Sequence, residues 1–194
     1  NPTTITMNGN KAVTANFSPA YCTTANLRAS EDTYMSAANV QYNNGGNVEL
    51  HVDNTTGTAR RGVLLKWDLS SIPSTATVSS TSLSLYVEDT SGLVFNLYNM
   101  RRAWVEGTNT QSNSNTSANW NTYDGTNSWG TAGAANTTTD RENTNLWGAT
   151  TTSFSSTGSK TLDLNGNGIA VVQGWISGAT PNHGLTIQNY TSAT

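Results

Sequence analysis

Apolar and polar residues alternate with period two at several places in the chain, and that alternation predicts β-strands. The clearest case is Arg61–Val87. Val63, Leu65, Trp67 and Leu69 fall on one face of a first strand, and Leu64, Lys66 and Asp68 on the other. In a second strand, Leu83, Leu85 and Val87 alternate with Ser82, Ser84 and Tyr86. One apolar face per strand is the pattern of a half-buried strand. The Ser/Thr-rich link between them carries Pro73, which suits a turn and cannot continue a helix. The spacing therefore predicts two strands joined by a tight connection, with a further layer over their apolar face.

Five more segments read as strands: one around Asp32–Met35, then Val48–Val52, Leu93–Met100, Lys160–Leu164 and Gly184–Gln188. Ile169, Val172, Gln173 and Ile176 fall at helical spacing and predict a short helix. Before the first of these segments, TTITM and KAVTANF flank Asn8-Gly9-Asn10. Asn-Gly between alternating runs is a strong hairpin signal. Residues 1–26 are thus expected to be an N-terminal β-hairpin extension with a linker, and residues 27–194 an all-β antiparallel domain with long polar loops. The longest polar stretch, Gln111–Thr139, carries Trp120 and Trp129. A stretch this long is usually functional or pinned by its own aromatics.

Composition narrows the class. Only 11% of the 194 residues are charged and 35% are hydrophobic; Thr, Ser, Asn and Gly fill much of the rest. Such uncharged polarity is typical of secreted or surface β-proteins. Six Trp and seven Tyr, with recurrent alternation, argue against disorder. A net charge of −3 with no basic stripe gives no electrostatic reason to expect nucleic acid. No apolar run reaches membrane-spanning length. The absence of a signal peptide leads us to expect a mature or trimmed product.

The motifs in order carry a more specific signal. EDTYMSA, NNGGNVELHV, the Arg61–Val87 stretch, NLYNMRRAWVEGTNT, ANWNTYDGTNSWGTAGA, VVQGWISG and NHGLTIQN together resemble the DNRLRE or disaggregatase-related module over residues 28–190. The N-terminal hairpin resembles part of a bacterial surface β-repeat. The resemblance implies a jelly-roll-like β-sandwich. It also implies a non-catalytic module of extracellular or cell-surface proteins, classed with carbohydrate-binding modules that include alginate binders. The family continues past NHGLTIQNY into one or two further strands, whereas this chain stops at Thr194. Two functions from different classes are therefore expected: a polysaccharide-binding or adhesive module, or a homopolymer subunit of a filament or sheath completed by donor strands. In the second, Thr4, Ile5, Val13, Ala15 and Phe17 are the candidate donor residues and Cys22 a candidate intermolecular thiol.

Each candidate site has a plainer structural alternative. By the resemblance, Trp104, Trp120 and Trp175 match core or loop-pinning positions. Tyr123, Trp129 and Trp147 lie in polar stretches, where exposed aromatics stack on sugar faces or, alternatively, pin loops. Arg101 and Arg102 present forks suited to a uronate carboxylate, or pair with Glu106 or Glu88. Asp163, Asn165 and Asn167 fit the first half of a Ca²⁺ loop, but its twelfth position is Gly174 rather than Glu, which favours an Asn/Gly turn. His51 and His183 are isolated, and no nucleophile elbow or metal-binding cluster appears, so no catalytic residue is expected. Sequons at Asn16, Asn54, Asn115, Asn136 and Asn189 arise readily in so Asn/Thr-rich a chain.

Overall fold

The computed structural model describes residues 22–53, 55–148 and 152–190. The hairpin extension, with Thr4, Ile5, Val13, Ala15 and Phe17, lies outside the described residues. Nine strands, one α-helix and a single 3-10 turn (Gly57–Ala59) are formed among the described residues: β1 (Glu31–Ser36), β2 (Tyr42–Asn43), β3 (Arg61–Lys66), β4 (Ser82–Val87), β5 (Ser91–Asn99), β6 (Ser112–Asn113), β7 (Thr152–Phe154), β8 (Gly158–Asp163), α1 (Gly166–Ser177) and β9 (Leu185–Gln188). The fold is an all-β sandwich. Its main sheet is antiparallel with order β1-β3-β9-β5-β7, accompanied by the two-stranded sheets β4-β8 and β2-β6.

Both faces of the main sheet are covered. On one face, Tyr34, Val63, Leu65, Phe95, Leu97 and Ile187 pack with Leu83 and Val87 of β4 and Trp175 of α1. The other face holds Met35 and Leu64, which pack with Met100, Trp104, Trp120 and Trp129 from the long stretch after β5. Alternation alone predicts a half-buried β3, yet Leu64 is 0% exposed. The polar stretch supplies the missing cover: its Trp and Ala side chains are too widely spaced to show a period but converge on one sheet face.

Two further expectations are corrected. β3 and β4 are not paired; β3 joins β1 and β9, while β4 pairs with β8 across the sandwich. The link between them changes layer, and Gln173 of α1 fastens it by donating to Ala76 O (3.0 Å) and accepting from Val78 N (2.8 Å). Val48–Val52 is no strand. Val48 is fully exposed, and only Asp53 makes a bridge, to Arg61. Of its three apolar residues only Val52 packs against the core, while Val48 and Leu50 stay exposed. In the main sheet β9 is central, hydrogen-bonded to β3 on one side and β5 on the other.

The sheet's edges are therefore β1 and β7. Edge strands expose main-chain groups that template unwanted pairing. On β1 two such groups are taken by side chains: Asp32 N donates to Glu106 Oε1 (2.8 Å), and Tyr34 O accepts from Asn44 Nδ2 (2.7 Å). Among the described residues no helix is long and apolar enough to cross a membrane.

Candidate functional site

The stretch from Arg101 to Arg141 has almost no regular structure, so its order must come from side chains. Asp140 is its hub. Fully buried, its carboxylate accepts from Gly130 N (2.8 Å), Thr131 N (3.0 Å), Asn136 N (3.2 Å) and Thr139 Oγ1 (3.1 Å), and faces Arg102 Nε at 3.5 Å. Next to it, the buried Arg141 guanidinium lies 3.9 Å over the Tyr98 ring and donates to Tyr190 O (3.1 Å). Burial pushes the Arg141 pKa down and the Tyr190 phenol up. Trp129 adds a second pin, donating through Nε1 to Asn119 O (2.9 Å) and through its backbone N to Asn121 O (3.0 Å).

Those pins shape a depression of about 450 Å³, within the range of ligand sites. Gln41, Asn113 and Ser114 form one wall; Asn115, Asn119, Asn121, Thr122 and Gly125 form the rest. No charged side chain lines it. Asn119 is structural: its Oδ1 accepts from Asn121 N and Thr122 N (2.9 Å each), closing the turn that presents both neighbours. Gly125 has φ +87, and a Cβ there would strike the Asn115–Thr116 backbone, so glycine is needed to close the rim. The side chains of Gln41, Asn113, Asn115 and Asn121 are exposed and make no hydrogen bond among the described residues. Thr122 Oγ1 is buried and likewise unpartnered there. Four exposed amides, each able to donate and accept, thus surround one concavity.

A smaller depression of about 140 Å³ lies alongside, lined among others by Tyr34, Tyr42, Asn44, His51, Arg61 and Gln111. His51 stands edge-on to the Tyr34 ring, with centroids 4.8 Å apart. Burial pushes the Tyr34 phenol up, and its oxygen accepts from Asn47 Nδ2 (3.1 Å). Arg61 faces Asp53 at 3.8 Å.

The residues singled out from sequence fall largely elsewhere. Trp129 and Trp147 are only 4% and 2% exposed, so neither offers a ring face to a ligand; both are core. Trp104, Trp120 and Trp175 are buried as well. Tyr123 is half-buried, edge-on to Trp129, and the Arg102 guanidinium covers its ring at 4.5 Å. Arg102 also donates to Thr139 O (3.1 Å) and Ser128 O (3.4 Å), and Arg101 pairs with Glu142 at 3.9 Å. The partners are thus Asp140 and Glu142, not Glu106 or Glu88. Asp163, Asn165 and Asn167 do not converge as ligands. Asn165 caps α1, its Oδ1 accepting from Asn167 N (3.0 Å) and Gly168 N (3.1 Å), while its amide donates to Asn145 O and Trp147 O (2.8 Å each). Cys22 is exposed and free.

The amide-lined depression escaped the sequence because Asn and Thr occur throughout the chain. One signal was present: Asn113, Asn115, Asn119 and Asn121 crowd nine residues around Trp120. The family model of carbohydrate-binding module family 96 matches residues 23–161. No curated protein matches the chain.

Proposed function

From membership of carbohydrate-binding module family 96, to which this chain belongs, we propose that it is a non-catalytic extracellular module that holds polysaccharide in the amide-lined depression. One observation carries this reading. Asn43, Asn44, Asn119 and Asn165 commit their side chains to the protein's own backbone. Gln41, Asn113, Asn115 and Asn121 instead present theirs around one concavity. Sugar hydroxyls both donate and accept, and side-chain amides match them in both roles. Val40, 39% exposed and bonded through its carbonyl to Asn121 N (3.3 Å), adds apolar surface at the rim for sugar C–H groups.

The lining supports a binding role rather than cleavage. Glycosidic hydrolysis usually needs two carboxylates across the bond, and this depression is lined by amides and hydroxyls. The likeness to the DNRLRE-type module fits the same assignment, as does the charge-poor composition of a surface protein.

Native gels cast with cellulose derivatives, xylan, mannan, β-1,3-glucan, pectin or alginate test the reading. At least one polysaccharide is expected to retard the protein, and the Asn113→Ala/Asn121→Ala variant is expected to migrate as in an empty gel. Migration unaffected by every polysaccharide would count against it.

A further inference from the structure

The two depressions flank the β2–β6 ribbon, each taking lining residues from both of its strands or their immediate ends. Tyr42 pairs with Asn113, and Asn43 with Ser112. Directly opposed residues of an antiparallel pair point to the same face, with Cβ atoms about 5 Å apart. Of that pair, Tyr42 lines the smaller depression and Asn113 the larger. They stand side by side on the ribbon, one at the edge of each concavity, and make the saddle between them. The ribbon continues the relation at its ends. Ser114 N donates to Gln41 O (3.0 Å) beside the larger depression, while Asn44 and Gln111 lie at the opposite end beside the smaller. Four residues of strand, from Gln41 to Asn44, span roughly 10 Å.

We propose that the two depressions are adjoining subsites for one polysaccharide chain, which crosses the Tyr42–Asn113 saddle and is gripped along its length rather than at an end. This rests on the reading of the larger depression as a carbohydrate site and extends it to the mode of recognition. Neither depression is an enclosed pocket. The two also differ in chemistry. The larger is lined by uncharged amides and hydroxyls; the smaller adds a phenol ring, Tyr42, on which a sugar face can stack. Joining two weak contacts on one ligand raises affinity through effective concentration, without any new contact.

The test is calorimetry with ladders of one to six units from the glucose, xylose, mannose and uronic-acid series, applied to the full chain. For the series that binds, affinity should rise steeply from monosaccharide to tetrasaccharide and then level off. Asn121→Ala should weaken short and long oligomers alike. Gln111→Ala and Asn39→Ala, both exposed positions at the smaller depression, should weaken the hexasaccharide about 3- to 10-fold each, the range of one lost hydrogen bond, and leave the mono- and disaccharide unchanged. Tyr42→Phe keeps the ring and should retain most of the hexasaccharide affinity. Equal affinity for one and six units, or a hexasaccharide indifferent to both smaller-depression variants, would overturn the two-subsite proposal while leaving the single site standing. Binding by no series would overturn both.

Discussion

Replacing Asp140 with Ala removes the hub of the Arg101–Arg141 layer. Three backbone N–H groups, those of Gly130, Thr131 and Asn136, lose their acceptor, as does the Thr139 hydroxyl. Each buried donor left unpaired costs about 1–3 kcal/mol. Local relaxation and entry of water limit the sum, so about 3–5 kcal/mol is expected. For a chain of this length each kcal/mol lowers Tm by about 2–4 °C, giving a drop of about 6–20 °C by calorimetry or near-ultraviolet circular dichroism. Arg102→Ala supplies the contrast. It removes the ion pair at 3.5 Å, the bonds to the Thr139 and Ser128 carbonyls and the cover on Tyr123, but leaves the backbone amides on the carboxylate, and should cost less, about 1–2 kcal/mol. Polysaccharide retention should fall with Asp140→Ala, because the Asn119–Thr122 turn rests on the same layer through Trp129. A Tm change below about 3 °C for Asp140→Ala, or an equal loss for Arg102→Ala, would refute the view that backbone capture by this carboxylate orders the layer.

Three further outcomes follow from the same structure. Asn165→Ala deletes the α1 cap and two bonds to the Asn145 and Trp147 carbonyls, and should cost about 2–3 kcal/mol in urea unfolding. Gly184→Ala places a Cβ against Leu65 O at φ +81, where β9 enters the sheet; about 2–3 kcal/mol is expected, visible as a lower urea midpoint. Burial raises the Asp32 pKa, and burial with the neighbouring Asp32 and Glu31 charges raises that of Glu106, from ordinary values of 3.8 and 4.5. The folded state then binds more protons than the unfolded one in the window above those values, so this contribution weakens as pH rises through it. Urea midpoints of the Asp32→Asn/Glu106→Gln variant should accordingly decline less between pH 4 and 7 than those of the unaltered chain.

Strands whose alternation meets a core were legible from sequence. Asp32–Met35, Leu93–Met100, Lys160–Leu164 and Gly184–Gln188 all lie within or overlap observed strands, and Ile169–Ile176 lies within α1. Periodicity reports which face is apolar, not what covers it. Val48–Val52 alternates as cleanly, but Val48 and Leu50 are exposed and only Val52 reaches the core. The cover on the Leu64 face was hidden because Trp104, Trp120 and Trp129 act singly, each anchored by an indole or backbone hydrogen bond rather than by a repeating pattern. Pairing across the sandwich was hidden too, since β9 reaches the sheet centre only after α1 has carried the chain across. The site was the least legible part. Aromatic residues in polar sequence suggested a platform, but Trp129 and Trp147 are held in the core, and the groups that line the depression are amides of a kind that recurs throughout the chain.

The most direct measurement is a nuclear magnetic resonance titration that follows side-chain amide signals as the tightest-binding oligosaccharide of the ladder series is added. The account predicts that the Gln41, Asn113, Asn115 and Asn121 amides shift most, those of Gln111 and Asn39 shift with longer oligomers only, and the structural amides of Asn43 and Asn165 hold still. Shifts centred on the Arg102–Tyr123 stack, or spread with no focus on the depression, would contradict it.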